Sequence, residues 1–178
     1  AQYMYEKDYV LKDAAGNGMI GVSGHSMGGF SAAYALIYDE IDFATNGFRK
    51  ITTALPVGSD FRYIWVPNPT SYFANRSVGI VAAHYDQFFF DNDSPAGTGS
   101  VIYKDFVTDS VGLEFLGLAA GSDATAGAIY MRDGGQRVIY TPDETHPQNT
   151  WSLETGRNTI EFFEMAFTYQ LNLSGLGS

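Results

Sequence analysis

The chain has 178 residues, of which 20 are acidic and 10 basic, and its formal net charge is −10 at pH 7. Hydrophobic residues make up 45% of the chain, which excludes a disordered protein and is enough to build a core. The chain has no cysteine, which excludes a disulfide scaffold and a thiolate metal site. The acidic balance argues against nucleic acid as a partner, because nucleic acid attracts a cationic surface.

The predicted elements alternate between helices and strands. Continuous apolar runs predict buried strands, and amphipathic or small-residue segments predict helices. In chain order these are a helix over residues 3–12, a strand over 19–22, a helix over 30–38, strands over 51–57 and 78–83, a helix over 109–118, a strand over 137–140 and a helix over 154–171. The pattern predicts an α/β fold, a mostly parallel sheet with helices on both faces.

The last helix has the clearest signals. Ser152 is expected to cap it, with Glu154 in its first turn. Ile160, Phe163 and Phe167 are expected on its buried face. No apolar run approaches the about 18 residues of a membrane span, and the first residues do not resemble a signal peptide.

Residues 87–136 depart from this alternation and are rich in Gly, Asp, Ser and Phe. Excursions of this length usually form lids or binding loops. We therefore predict one domain over residues 1–178, with a lid-like or pocket-forming excursion at about 87–136. The three phenylalanines at 88–90 are expected either to line an acyl pocket or to pack in the core.

A G-x-S-x-G motif lies between the first predicted strand and the helix after it, in GHSMGG at residues 24–29. A serine at such a sharp turn adopts a strained backbone and projects its hydroxyl above the sheet. We expect that Gly24 and Gly28 are required, because side chains there would collide. The turn also directs the N-terminus of a helix at the reacting centre, where it stabilises a developing oxyanion. Ser26 is the predicted nucleophile.

A serine hydroxyl needs a base to become a nucleophile, and the chain has only three histidines. His25 lies inside the turn, with its side chain expected to point away from the hydroxyl. His84 ends the third predicted strand, ahead of most candidate acids. His146 follows the last strand, which suits the order Ser, acid, His that accompanies this type of turn. His146 is therefore the expected base.

The acid must orient the imidazole and stabilise its charged form. Asp86 lies just past the strand at 78–83, at the carboxyl edge of the sheet, where open α/β folds bind ligands. Asp60 follows the strand at 51–57 in the same way. Asp86 is the preferred acid and Asp60 the alternative.

These segments resemble the α/β-hydrolase family, and in particular bacterial serine esterases and lipases. IGVSGHSMGG at residues 20–29 resembles the nucleophile elbow, AHYDQF at 83–88 the acid-bearing loop, and THPQNTWS at 145–152 the histidine loop. The resemblance implies an acyl-enzyme mechanism. Ser26 would be the nucleophile, Asp86 the orienting acid, His146 the base and then the acid, and the backbone N–H of Met27 an oxyanion donor.

The resemblance also implies a substrate class, a small-molecule or lipid-like carboxylic ester, with no metal or organic cofactor. A peptidase or thioesterase with the same triad, and a non-catalytic hydrolase-like binding module, remain alternatives. The family's sheet has strands upstream of the elbow, and a loop among them supplies a second oxyanion donor. Because the first predicted strand here begins at residue 19, we expect the C-terminal part of a hydrolase domain, partnered by a missing N-terminal segment of the same protein.

Overall fold

The computed structural model of the chain describes residues 1–89 and 106–176. These residues form one sheet, with the strands β1 Gly21–His25, β2 Thr53–Val57, β3 Ser77–Val81, β4 Tyr130–Arg132 and β5 Gly135–Tyr140. The spatial order is β1-β2-β3-β5-β4. Neighbours from β1 to β5 pair in parallel, and β4 pairs antiparallel with β5 at the edge. The predicted α/β class with a mostly parallel sheet is confirmed.

The α-helices of the described residues are α1 Gln2–Tyr5, α2 Met27–Asn46, α3 Ser110–Leu116 and α4 Leu153–Ser174. The predicted helix over residues 3–12 is wrong beyond its first turn. Leu11 and Lys12 turn back instead, because the Leu11 carbonyl accepts from the N–H of Met19 and Lys12 forms an isolated bridge with Gly18. None of the described helices is long and apolar enough to cross a membrane.

Neighbouring residues of β2 face opposite sides of the sheet, and a long helix covers each side. Ala54 belongs to the core cluster that contains Leu36 of α2. Leu55 belongs to a second cluster with Phe162 and Ala166 of α4. Leu36, Leu55 and Phe162 are fully buried, and each contributes about 1.5–3 kcal/mol relative to exposure. The sheet is therefore covered on both faces.

α4 begins as predicted but buries a different stripe. The Ser152 hydroxyl accepts from the N–H groups of Glu154 and Thr155, which confirms the cap. The expected buried face is wrong at Ile160, which is 62% exposed. Thr155 and Asn158 lie on the buried stripe instead. Because the first buried positions of α4 carry polar side chains, the spacing of apolar residues did not identify the buried stripe.

The strand β4 was not predicted, because it has only three residues. Asp133 and Gly134 connect it to β5 with positive φ values of 53° and 79°. Such a turn matches the twist of a two-stranded hairpin and is favoured by Asp-Gly. The Asp-Gly sequence thus indicates the turn, whereas the three residues of β4 show no strand pattern.

Part of the predicted excursion at 87–136 belongs to the core. Phe106, Val107 and Phe115 are buried in the same cluster as Leu36. Residues 90–105, which include Phe90 and much of the predicted lid-like or pocket-forming segment, lie outside the described residues. The role predicted for that segment stays a prediction.

Candidate active site

The predicted site residues follow different strands but lie at the same edge of the sheet, where Asp86 contacts His146. No hydrogen bond joins Ser26 to His146 among the described residues. Ser26 comes directly after β1, Gly58 after β2, Asp86 soon after β3, and His146 follows β5. Because these strands are parallel, their carboxyl ends lie at the same edge, the usual place for ligands in open α/β sheets.

Ser26 has φ 56° and ψ −119°, which is a strained conformation for a residue with a side chain and costs about 1–3 kcal/mol. Three hydrogen bonds hold its backbone there. Its N–H donates to the carbonyl of Val57 at 2.8 Å, and its carbonyl accepts from the Ser59 hydroxyl at 2.6 Å and the N–H of Phe30 at 3.1 Å. The strain is therefore maintained by both β2 and α2.

The glycine requirement of this turn differs in part from the expectation. A Cβ on Gly24 would lie 2.5 Å from the carbonyl group of Gly28, so Gly24 is required as predicted. A Cβ on Gly28 would meet nothing within 4 Å, and the requirement expected there is wrong. The steric requirement falls on Gly24 because its added Cβ would meet the backbone of residue 28. Gly29 is the second crowded position, where a Cβ would collide with the Ser59 hydroxyl.

The Ser26 hydroxyl does not cap the helix that follows it. Ser26 occupies the N-cap position of α2, yet its side chain makes no capping hydrogen bond, in contrast to Ser152 on α4. Among the described residues, no hydrogen bond uses this hydroxyl. The half-buried Ser26 hydroxyl thus lies on a strained turn without a hydrogen-bond partner in the part of the chain that the structure describes.

His146 and Asp86 form a hydrogen-bonded pair, with 2.7 Å between Nδ1 and Oδ2. Asp86 is fully buried, and its other carboxylate oxygen accepts from the N–H of Phe88 at 2.9 Å. An ionised carboxylate only accepts, so Nδ1 of His146 carries the proton. In the neutral ring Nε2 then has the free lone pair that a general base needs.

The pair meets because the pairing of β3 with β5 continues into the loops that follow. The N–H of His84 donates to the carbonyl of Pro142 at 2.9 Å, and the N–H of Tyr85 donates to that of Glu144 at 3.0 Å. These two hydrogen bonds keep the loop after β3 alongside the loop after β5. Asp86, the residue after Tyr85, therefore reaches the imidazole of His146.

Gly58 lets a third loop pass against this pair. A Cβ on Gly58 would lie 3.0 Å from Nδ1 of His146 and 3.2 Å from Oδ2 of Asp86, and the residue has φ 62°. Both the backbone conformation and the close approach favour glycine here. The loop after β2 thus connects the serine turn, through Val57 and Ser59, with the histidine and the aspartate.

Two further rings pack on the imidazole of His146. Nε2 of His25 donates to the His146 carbonyl oxygen at 2.9 Å, and the two ring centroids are 4.4 Å apart. The Phe88 ring meets the imidazole in a T-shaped contact at 4.6 Å. The residue beside the serine therefore contacts the predicted base, a role that elimination among the histidines did not reveal.

The alternative site residues lie in other pairs. Asp60 accepts from Nε of Arg62 at 2.6 Å and from its N–H at 2.8 Å, whereas Asp86 is the acid that contacts His146. The choice between the two acids stays a prediction. Burial raises the pKa of Asp60, although hydrogen bonds from Arg62 oppose that increase. His84 has its Nδ1 3.0 Å from a carboxylate oxygen of Asp143, on the surface.

Met27 is the first residue of α2, and its side chain is 74% exposed. The N–H groups of the first turn have no partner within a helix, and the dipole of α2 adds partial positive charge there. The backbone N–H of Met27 lies at this helix end beside Ser26, and its role as an oxyanion donor stays a prediction.

No protein-family model, curated protein or solved structure matches this chain. The α/β class rests on the sheet and its two helical layers. Within residues 1–89 and 106–176, no three His, Asp or Glu side chains come together as a metal site would require. The serine turn and the histidine–aspartate pair are the features of this structure that bear on its function.

Proposed function

We propose that this protein is a serine hydrolase of the α/β-hydrolase type that cleaves carboxylic esters through an acyl-enzyme. The observation that carries the proposal is the pair of His146 and Asp86, at the same sheet edge as the strained Ser26 turn. Each of the three residues has the environment that its role needs: a hydroxyl with no hydrogen-bond partner among residues 1–89 and 106–176, an imidazole with a fixed tautomer, and a buried carboxylate.

The order of these residues along the chain supports the same assignment. A serine between a strand and a helix, followed by the acid and then the histidine, is the order of α/β-hydrolases, whereas other serine hydrolases with the same triad use different orders. The three residues follow β1, β3 and β5, with β2 between the first two in space. The proposal therefore rests on topology as well as on one motif.

In the first half of the reaction, Nε2 of His146 takes the proton of the Ser26 hydroxyl. The serine oxygen forms a bond to the ester carbonyl carbon, and the carbonyl electrons move to oxygen. When the carbonyl re-forms, the bond to the alcohol oxygen breaks, and His146 gives its proton to the leaving alcohol. Asp86 stabilises the imidazolium between these steps.

In the second half, water replaces the alcohol. His146 takes a proton from water, the resulting hydroxide oxygen attacks the acyl carbon, and the proton returns to the oxygen of Ser26 as the acid leaves. In both halves the negative oxygen lies near the N-terminus of α2, where the Met27 N–H can donate to it. A single preorganised donor of this kind is worth about 10²–10³ in kcat.

The test is hydrolysis of a p-nitrophenyl ester, a matched anilide and a matched thioester by the protein and by Ser26→Ala. We expect ester cleavage that Ser26→Ala abolishes. Ser31→Ala is the matched control, because Ser31 lies four residues after Met27 on α2 and, among the described residues, its hydroxyl donates only to the Met27 carbonyl.

Preferred cleavage of the anilide or thioester would keep the triad and change the substrate class. If the intact protein cleaves none of the three, or if Ser26→Ala retains the activity, the proposal is wrong. Absence of any reaction would favour the alternative of a non-catalytic binding module.

A further inference from the structure

Glu144 is a buried acid close to the proposed base that the mechanism does not use. It lies two residues before His146 and is only 7% exposed. Removing a carboxylate from water is costly unless hydrogen bonds replace the lost hydration. The hydrogen-bond partners of Glu144 therefore show which elements this buried carboxylate joins.

The side chain of Glu144 binds the start of α4. Oε1 accepts from the Ser152 hydroxyl, and Oε2 accepts from the Thr155 hydroxyl at 2.8 Å. Ser152 is also the N-cap, which accepts from the N–H groups of Glu154 and Thr155. The carboxylate is thus joined to the positive end of a 22-residue helix, where a negative charge is favourable.

The backbone of Glu144 binds a different element. Its carbonyl accepts from the N–H of Tyr85 at 3.0 Å, and Tyr85 directly precedes the aspartate of the proposed triad. One residue therefore joins three parts of the site: the acid-bearing loop through its backbone, α4 through its side chain, and the histidine loop through the chain.

We propose that Glu144 is a positioning residue that holds His146 in register with Asp86. This inference rests on the proposed function, because it assigns a task within the same triad. Two residues of chain span at most about 7 Å, so a shift of Glu144 moves the histidine. A displacement of about 1 Å between reacting groups can reduce a rate about a hundredfold.

The principal variant is Glu144→Gln, which keeps the size and one acceptor oxygen but removes the charge and the second acceptor. We expect kcat for the p-nitrophenyl ester to fall about tenfold or more, with KM within about twofold.

Asp143→Asn is the matched control, because Asp143 carries the same charge one residue earlier but is exposed and contacts only His84 among the described residues. Its kcat and KM should equal those of the unmodified protein. Thr155→Val is the second variant. It removes one donor to Glu144, keeps the charge and the shape, and should lower kcat in the same direction by less.

A proton NMR readout separates this inference from the proposed function. The far-downfield signal of the proton between His146 and Asp86, identified by its loss in Asp86→Asn, should broaden or vanish in Glu144→Gln and persist in Asp143→Asn. This holds even if the protein cleaves no ester. An unchanged signal in folded Glu144→Gln and Thr155→Val, or a fall in kcat equalled by Asp143→Asn, would overturn the positioning role.

Discussion

The buried charged groups at the two edges of the sheet have different partners. At the amino ends of the strands, Arg76 pairs with Asp39 at 2.9 Å and Glu40 at 2.6 Å. Glu40 also pairs with Arg49, and the Asp39 carboxylate accepts from the backbone N–H groups of residues 50 and 51. Each charge in this amino-edge cluster has partners of opposite sign or backbone donors.

At the carboxyl edge Asp60 pairs with Arg62, but Asp86 has no Arg or Lys partner among the described residues. Asp86 is fully buried with one imidazole and one backbone N–H as its partners among the described residues, and the Ser26 hydroxyl has no hydrogen-bond partner among them. A network that satisfies itself stabilises the fold, whereas groups that are held in place but left unsatisfied can bind something else. Under the proposed function, the amino-edge cluster stabilises the fold, whereas Asp86 serves the chemistry.

The largest expected effect tests that separation with two aspartates. Asp86→Asn should lower kcat about 10⁴-fold, because the amide no longer selects the productive tautomer of His146. Its effect on the free energy of unfolding should be small, because Asn keeps the shape and an acceptor. Ester kinetics together with urea unfolding measure both quantities.

Asp39→Asn should give the reverse pattern. It leaves Arg76 buried without its full countercharge, which costs about 3–5 kcal/mol of unfolding free energy, while kcat of the folded fraction stays near that of the unmodified protein. If Asp39→Asn lowered kcat as strongly as Asp86→Asn, the contrast between the edges would be wrong.

The glycines of the serine turn provide the next contrast. Gly24→Ala should destabilise the fold by about 1–3 kcal/mol, because its Cβ would overlap the backbone of residue 28. Gly28→Ala should be close to neutral, because its Cβ meets open space. Thermal unfolding of the two variants measures the difference, and equal losses would contradict the geometry of the turn.

A smaller effect is expected at His25. His25→Phe keeps a ring against the imidazole of His146 but removes the donor to the His146 carbonyl. We expect kcat to fall about tenfold, consistent with the loss of one hydrogen bond of about 1 kcal/mol. His84→Phe, on the exposed pair with Asp143, is the control and should leave kcat unchanged.

The smallest effect concerns acid stability at the amino edge. Burial raises the pKa of Glu40, but hydrogen bonds from Arg49 and Arg76 lower it by more, so the net shift is downward. A carboxyl with a lower pKa in the folded state stabilises the fold above its unfolded pKa, and this contribution is lost as the pH falls below 4.5 through the folded value.

Glu40→Gln should therefore be less stable at pH 7, by about 1 kcal/mol, and should lose less stability below pH 4.5. Asp60 has the opposite shift, because burial raises its pKa, so Asp60→Asn should make the acid loss steeper. Urea unfolding from pH 7 to pH 3 distinguishes the two signs. Parallel curves for both variants would contradict the assignment.

Local patterns predicted much of the fold. Continuous apolar runs indicated the strands β1, β2, β3 and β5, and the cap at Ser152 indicated the start of α4, because burial on both faces and helix capping are read from neighbouring residues. The strand β4 was missed, because three residues carry too little pattern. The buried stripe of α4 was misplaced, because its first turns bury polar side chains.

Position after a strand predicted the site in part. Ser26, Asp86 and His146 each follow a parallel strand, and topology alone brings such residues to one edge. The same rule also selected Asp60, and only the path of the loop after β2 shows that Arg62 binds it. The contacts of His25 and Glu144 depend on how loops pair after the strands end, which no local pattern records.

The central claim is that the Ser26 hydroxyl is a nucleophile activated by His146. The most direct measurement is a fluorophosphonate reaction followed by peptide mass spectrometry, which locates the phosphonylated residue. The account predicts one adduct, on the peptide that contains residue 26, and much slower labelling of His146→Ala. An adduct on a different residue, or equally fast labelling of His146→Ala, would contradict it.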